Sequence, residues 1–157
     1  MNKKVIITDK APEAIGAYSQ AVKAGNLIFI SGQIPLDPST MEVISPVFSD
    51  QVEQVIKNID GIVKESGKSL DDIVKITVYL KNLENFQAVN QAMEKFFTKP
   101  YPARAAVEIS KLPKDVEMQR ELCFQSSKVF KSSCGSLPRV NIDVLPCRIT
   151  LLRVFLE

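Results

Sequence analysis

Arg104 stands between Ala103 and Ala105 in a stretch of small residues that directly follows Tyr101-Pro102. A guanidinium set there can grip a carboxylate through two parallel hydrogen bonds, and its small neighbours leave room for a ligand beside it. A structural salt bridge to Glu108 or Glu121 is the competing assignment, and spacing alone does not separate the two. Ser31-Gly32-Gln33-Ile34-Pro35 is the second candidate. Its glycine lets backbone amides approach a small ligand and its serine hydroxyl can add one directional contact, although an ordinary strand exit would carry the same residues. Tyr18, after Gly16-Ala17, has a ring that can close a pocket or sit half-buried on a strand.

What is missing narrows the chemistry further. The 157 residues include no histidine. That removes Ser-His-Asp and Cys-His catalysis, histidine-ligated metals and any imidazole acid-base step. Cys123, Cys134 and Cys147 form no close pair, so neither a zinc ribbon nor a thioredoxin-like motif is readable. The six glycines match no phosphate-binding loop, and nucleotide cofactors are not indicated. A net charge of +2 does not suggest a dedicated nucleic-acid binder. Val5, Ile6 and Ile7 are too short a run for a secretory signal, and no stretch approaches the roughly 20 apolar residues of a membrane helix. The expected location is the cytoplasm.

The elements that must position these residues follow from periodicity. Stretches 17–22 and 27–33 flank Gly25-Asn26, a pair suited to the positive φ of a tight hairpin turn. Ser49 and Asp50 are expected to start a helix whose Val52, Val55, Ile56, Ile59 and Val63 share one face until Gly67. Residues 73–80 read as a strand with Val74, Ile76, Val78 and Leu80 on one side and Lys75, Thr77 and Tyr79 on the other. Asn82 is expected to cap a second helix striped by Leu83, Phe86, Val89, Met93, Phe96 and Phe97, an aromatic stripe assigned to the core. Stretch 103–109 puts Arg104, Ala106 and Glu108 on one face, and 116–124 puts Glu117, Gln119 and Glu121 on a common face. The sum is an α+β domain with both helices on one side of a sheet, whose other side needs a partner and so predicts an oligomer.

The composition shifts near residue 125. Residues 1–125 carry 15 basic and 16 acidic side chains, whereas 126–157 carry five basic and two acidic ones. Residues 126–157 are therefore read as an atypical basic, cysteine-containing tail, with a serine-rich connector and apolar stretches at 140–144 and 149–156 that could form strands.

Four motifs, in order, carry a resemblance: 11–20 (APEAIGAYSQ), 31–35 (SGQIP), 101–107 (YPARAAV) and 112–116 (LPKDV). They resemble the RidA/YjgF family of imine and enamine deaminases over roughly residues 3 to 118. The resemblance implies a chorismate-mutase-like subunit with a mixed β-sheet and two helices on one face, forming a homotrimer around a central barrel with a ligand cleft at each interface. It implies hydrolysis of reactive 2-imino or 2-enamino acids to 2-oxo acids and ammonia, with no cofactor and no metal. Carried over by position, Arg104 would hold the substrate carboxylate, and Tyr18, Ser31, Gly32, Asn90 and Ala106 would shape the pocket.

Three positions depart from that pattern. Ala106 stands where many deaminating members have a cysteine that lines the pocket. Gln119 stands where the family has a water-orienting glutamate; a glutamine can hold a water but cannot take its proton. Glu117 or Glu121 could substitute only after a register shift. Arg120 occupies an apolar, core-facing position, where an unpaired guanidinium is costly. Weakened turnover is the expectation, with a small-carboxylate-binding trimer lacking turnover as the alternative. The family's older description, as translation inhibitors or ribonucleases, fits poorly with no histidine and a slightly acidic body. The broken alternation from Gln119 onward also points to a reading frame that diverges from the family's, which a clean coding sequence matched by intact-protein mass would exclude.

Overall fold

The computed structural model describes residues 3–125, with side chains through residue 120. The apolar stretches at 140–144 and 149–156, the connector, Cys134 and Cys147 lie outside the described residues.

Strands β2 (Ala21–Ala24) and β3 (Leu27–Gln33) form the expected hairpin, and Gly25 takes the turn at φ 60°. Residues 17–20 are not part of it. Beyond Ala21 the ladder keeps one backbone bond, Ser31 N–H to Gln20 O, and the Gln20 side chain is turned inward to bond the chain at 8–12. The Val5-Ile6 run, unassigned in the sequence, becomes β1 (Lys3–Ile6), antiparallel to β2.

Helix α1 spans Phe48–Glu65 and buries Val52, Val55, Ile56, Ile59, Ile62 and Val63. Its start differs from the sequence expectation. Val47 is the N-cap without a side-chain cap, and Ser45 takes the tightening role by accepting Val47 N–H (3.0 Å) and donating to Asp50 (2.8 Å). Gly67 does end the helical path, at φ 76°, with Lys68 N–H closing onto Val63 O.

Strand β4 (Ile73–Leu80) has the expected bounds, but a register irregularity between Ile73 and Lys75 turns Val74 outward and Ile73 inward. Asn82 caps a short 3-10 turn, accepting Glu84 N–H, and not the helix itself. Helix α2 (Phe86–Phe96) follows, then β5 (Ala103–Glu108) and β6 (Met118–Gln125). The sheet order is β1-β2-β3-β6-β4-β5, with β4–β5 its parallel pair. A parallel pair needs a crossover, and α2 supplies it. Strands β3 and β4 both run antiparallel to β6, so α1 makes a second crossover over the same face.

The core therefore lies between one sheet face and the two helices. Ile28, Ile30, Ile76, Val78, Leu80 and Met118 meet Val55, Ile59, Val89 and Met93 there. The other sheet face keeps apolar side chains in the open: Phe29 is 47% exposed, and Val5, Leu27 and Val107 are also exposed.

One core residue does not belong to an apolar interior. Arg120 pairs in register with Val78 and Gln33, so its side chain enters the core, where it is 0% exposed. All three guanidinium nitrogens lack a hydrogen-bond partner among the described residues. Burial, and then the positive charge of Arg104, push its pKa down to about 10. The group remains charged at neutral pH. Because the unfolded chain holds that proton more tightly, the penalty is fully present below about pH 10 and is relieved as pH rises beyond it. Arg120→Met should therefore raise the unfolding free energy at pH 7 by roughly 1–4 kcal/mol, measured by urea denaturation. A less stable variant would show that the guanidinium has a compensating partner.

Candidate functional site

The parallel register pairs Arg104 with Ile76, which sets Arg104 on the helix-bearing face, at the β5 edge of the sheet. Helix α2 holds it. The guanidinium carbon lies 4.5 Å from the centre of the Phe86 ring, and Nη1 donates to Asn90 Oδ1 at 2.7 Å. Phe86 and Asn90 are four residues apart and so share one helix face. Among the described residues Arg104 forms no ion pair, and Glu108 instead accepts Leu83 N–H at 2.9 Å. The salt bridge weighed from the sequence to Glu108 is not made. Arg104, itself exposed, borders a recess of about 250 Å³ lined also by Asn90, Met93, Glu94, Tyr101 and Pro102, and keeps N–H donors beyond the one given to Asn90. Such a group, stacked on one side and open on the other, can receive a carboxylate in the guanidinium plane. Ala106 shares the face of Arg104 but packs against the core and does not line the recess.

A second cluster forms elsewhere. Tyr18 is 48% exposed on the segment before β2, and its hydroxyl accepts Ile15 N–H at 3.4 Å. It is a loop residue, not a strand tyrosine. Ser31 spends its hydroxyl proton on Ser19 O (2.7 Å), while Ser31 N–H donates to Gln20 O (3.0 Å). Its part is thus to hold the segment bearing Tyr18. Gly32 is approached by a side chain of its own chain: a Cβ there would lie 1.7 Å from Gln119 Nε2. Tyr18, Gly32, Gln33, Ile34 and Met41 border a notch of about 30 Å³, too small to enclose an amino-acid-sized ligand by itself.

Gln119 pairs with Tyr79, which pairs with Val107, so these three point to the uncovered sheet face. Arg104 points to the other. Within one chain the structure brings together Arg104 with Asn90, and Tyr18 with Ser31, Gly32 and Gln119, but not the first group with the second. Glu117 cannot replace Gln119 by a register shift. It lies before β6, its carboxylate is bonded to Lys81 at 3.0 Å, and the Tyr79–Gln119 pairing is in register. Glu117 and then Asp115 raise the pKa of Lys81 by favouring its charged form. The side chain of Glu121 lies outside the described residues.

The framework around the second cluster consists of buried amides that sequence reading missed. Gln20 accepts Thr8 N–H (2.8 Å) and donates toward the carbonyls of Thr8, Ala11 and Pro12. On α1, Asn58 donates to Ile34 O and Leu36 O, at 3.2 and 2.9 Å, fixing the exit of β3. Gln51 accepts Glu117 N–H (3.2 Å) and Gln54 donates to Asn58 (2.9 Å). Polar residues at 51, 54 and 58 beside an apolar stripe were the available signal. Phe86 was read as core, and its spacing from Asn90 was the clue to its place over Arg104. Among the described residues no cluster of three or more metal-ligating side chains occurs, and no helix is long and apolar enough to cross a membrane.

Gly32→Ala tests the contact with Gln119. The added methyl meets the far end of a flexible side chain, so stability should fall by about 1 kcal/mol or less while the Gln119 carboxamide is displaced. Urea denaturation and the Gln119 side-chain amide signals in NMR read the two effects. Unshifted amide signals would mean that the close approach is not made in solution.

Comparison with known proteins gives the site its setting. Residues 8–122 match the family model described as Endoribonuclease L-PSP. A RutC family protein of Pyrococcus abyssi is 51% identical over 121 residues, covering 77% of this chain and 95% of that one. A 2-iminobutanoate/2-iminopropanoate deaminase of the mite Dermatophagoides farinae is 38% identical over 119 residues, covering 76% and 93%. The crystal structure of RidA from an Antarctic Psychrobacter superposes with a TM-score of 0.75 at 46% identity, covering 78% of this chain and 98% of that one. The mixed sheet with two helices on one face is thus the fold of these relatives, and the chain belongs to the RidA/YjgF family, also called RutC, whose family model carries the description Endoribonuclease L-PSP.

Proposed function

We propose that this chain is a cytoplasmic 2-imino acid deaminase that works as a homotrimer, with each site built from two copies. The observation that carries the reading is the Arg104 guanidinium, held by Phe86 and Asn90 and left open toward a recess. Two further facts support it. The two groups of site residues sit on opposite faces of one sheet, so a cleft using both needs a second copy, and the uncovered face presents Phe29, Leu27 and Val107 for such an interface. A relative that shares most of its length with this chain is named as a 2-iminobutanoate/2-iminopropanoate deaminase.

In this reading Arg104 takes the substrate carboxylate with two parallel N–H donors. Anchoring that end sets the electrophilic C2 at a fixed distance from the partner copy's strand exit. Gln119 there can accept a hydrogen bond from the attacking water through its carboxamide oxygen, but it cannot remove the proton. Water adds to C2 as the C=N π pair moves to nitrogen, giving a carbinolamine; one water proton and then the hydroxyl proton pass to that nitrogen by way of solvent, and the C–N bond breaks to give ammonia and a 2-oxo acid. Electrostatic neutralisation and positioning remain and general-base assistance is lost, so turnover is slow.

The replacement of a glutamate by Gln119 gives a second reading its footing: a trimer that binds small carboxylates without turning them over. RNA cleavage, the activity in the family model's description, is disfavoured by the −1 balance of residues 1–125, since RNA affinity rests largely on neutralised phosphates.

The test is to generate 2-iminobutanoate in situ with an amino-acid oxidase and to follow its trapping by semicarbazide. The chain should lower semicarbazone formation, Arg104→Ala should remove at least tenfold of that effect, and Gln119→Glu should raise kcat at least tenfold. No acceleration by either chain, with 2-oxobutanoate binding retained in calorimetry, would transfer the reading to the binding protein.

A further inference from the structure

Arg120 is used by neither the core nor the chemistry described so far. It lies on the helix-bearing face, the face of Arg104, with only β4 between the two strands. Two interstrand spacings put the two strands about 10 Å apart, and the side chains are long. The guanidinium of Arg120 is fully buried, has no hydrogen-bond partner and belongs to none of the ion pairs among the described residues. In a poorly polarisable interior such a charge acts over a longer distance than it would in water.

We propose that Arg120 is a specificity-determining second cation behind the Arg104 recess, which selects anionic over neutral ligands by charge alone. The two guanidinium groups sense each other, since the positive charge of Arg104 adds to burial in lowering the affinity of Arg120 for its proton. That repulsion is relieved when a carboxylate docks on Arg104. The ligand's negative charge then faces two cations, one in contact and one farther off on the same sheet face, beyond β4. A neutral ligand gains nothing from the second. Arg120 does not line the recess, so its contribution does not depend on contact or shape. The inference rests on Arg104 being the carboxylate anchor.

Calorimetry on the full chain, parent and Arg120→Met, at low salt with 2-oxobutanoate and its neutral analogue 2-oxobutanamide reads the effect. Arg120→Met should weaken 2-oxobutanoate roughly three- to tenfold and leave the amide unchanged. Equal affinity of both chains for the carboxylate, or a parallel loss of both ligands, overturns the proposal. The unfolding cycle of Arg104→Gln, Arg120→Met and the double variant separates this inference from the reading beneath it. Arg104→Gln should be more favourable to stability when Arg120 is present, and additivity overturns the charge coupling. A parent chain that binds neither ligand, with a non-additive cycle, overturns the anchoring role of Arg104 and the proposal with it.

Discussion

The site depends on one guanidinium being held firmly and left incompletely satisfied. Arg104 is stacked on Phe86 and bonded to Asn90, yet it meets no carboxylate among the described residues. Both holders come from α2, and α2 is where it is because β4 and β5 run parallel and require a crossover. The register of that one strand pair decides the rest. A slip of one residue would turn Arg104 to the opposite face, away from Phe86 and Asn90, and bring Ala105 in its place. The apolar pairing of Ile76, Val78 and Leu80 with the core resists such a slip, so packing far from the recess fixes the geometry inside it.

The second cluster is held by different means. Tyr18 and the exit of β3 lie on irregular chain, which has no ladder to fix it. Buried amides replace the ladder: Gln20 ties down 8–12, and Asn58 with Gln54 reaches the carbonyls of Ile34 and Leu36. Each satisfies backbone carbonyls that would otherwise be buried without partners, which is a strong reason for a single loop conformation. One part of the proposed cleft therefore rides on a strand edge and a helix, the other on loops made rigid by side-chain hydrogen bonds. Two such surfaces can meet reproducibly across an interface without a wholesale rearrangement.

Much of this was legible in the residues. The hairpin turn, the apolar face of α1 and the bounds of β4 follow from local preference and periodicity, which act over a few residues and leave a visible pattern. The α+β arrangement with an uncovered apolar face followed from the same patterns. Other features depended on long-range contacts. Val74 was placed on the wrong face because a register irregularity breaks the alternation, and nothing local announces it. The start of α1 was misread because Ser45, outside the helix, takes over the role that Ser49 was given, while Asp50 does stand in the first turn. Gly32 was read as an opening for a ligand, and the group lying on it is Gln119, eighty-seven residues away in sequence. The site was legible as a set of residues but not as two groups, since strand order alone decides which face each occupies.

Gln119 and Arg120 are neighbours in the chain and strangers in the fold. Alternation along β6 sends Gln119 to the uncovered face, beside Gly32, and Arg120 to the core, beside Val78. The first lies at the strand exit and costs the core nothing. The second puts an unpaired charge beneath the recess and touches no ligand. Changes at these two adjacent positions therefore have separate physical consequences, one at the uncovered face and one for the electrostatics and stability of the core. They can be reversed independently, because no side-chain contact joins them through the sheet. The extended backbone that separates their side chains also ties their positions together. A one-residue slip of β6 against β4 would exchange the two roles, moving the amide into the core and the cation to the uncovered face.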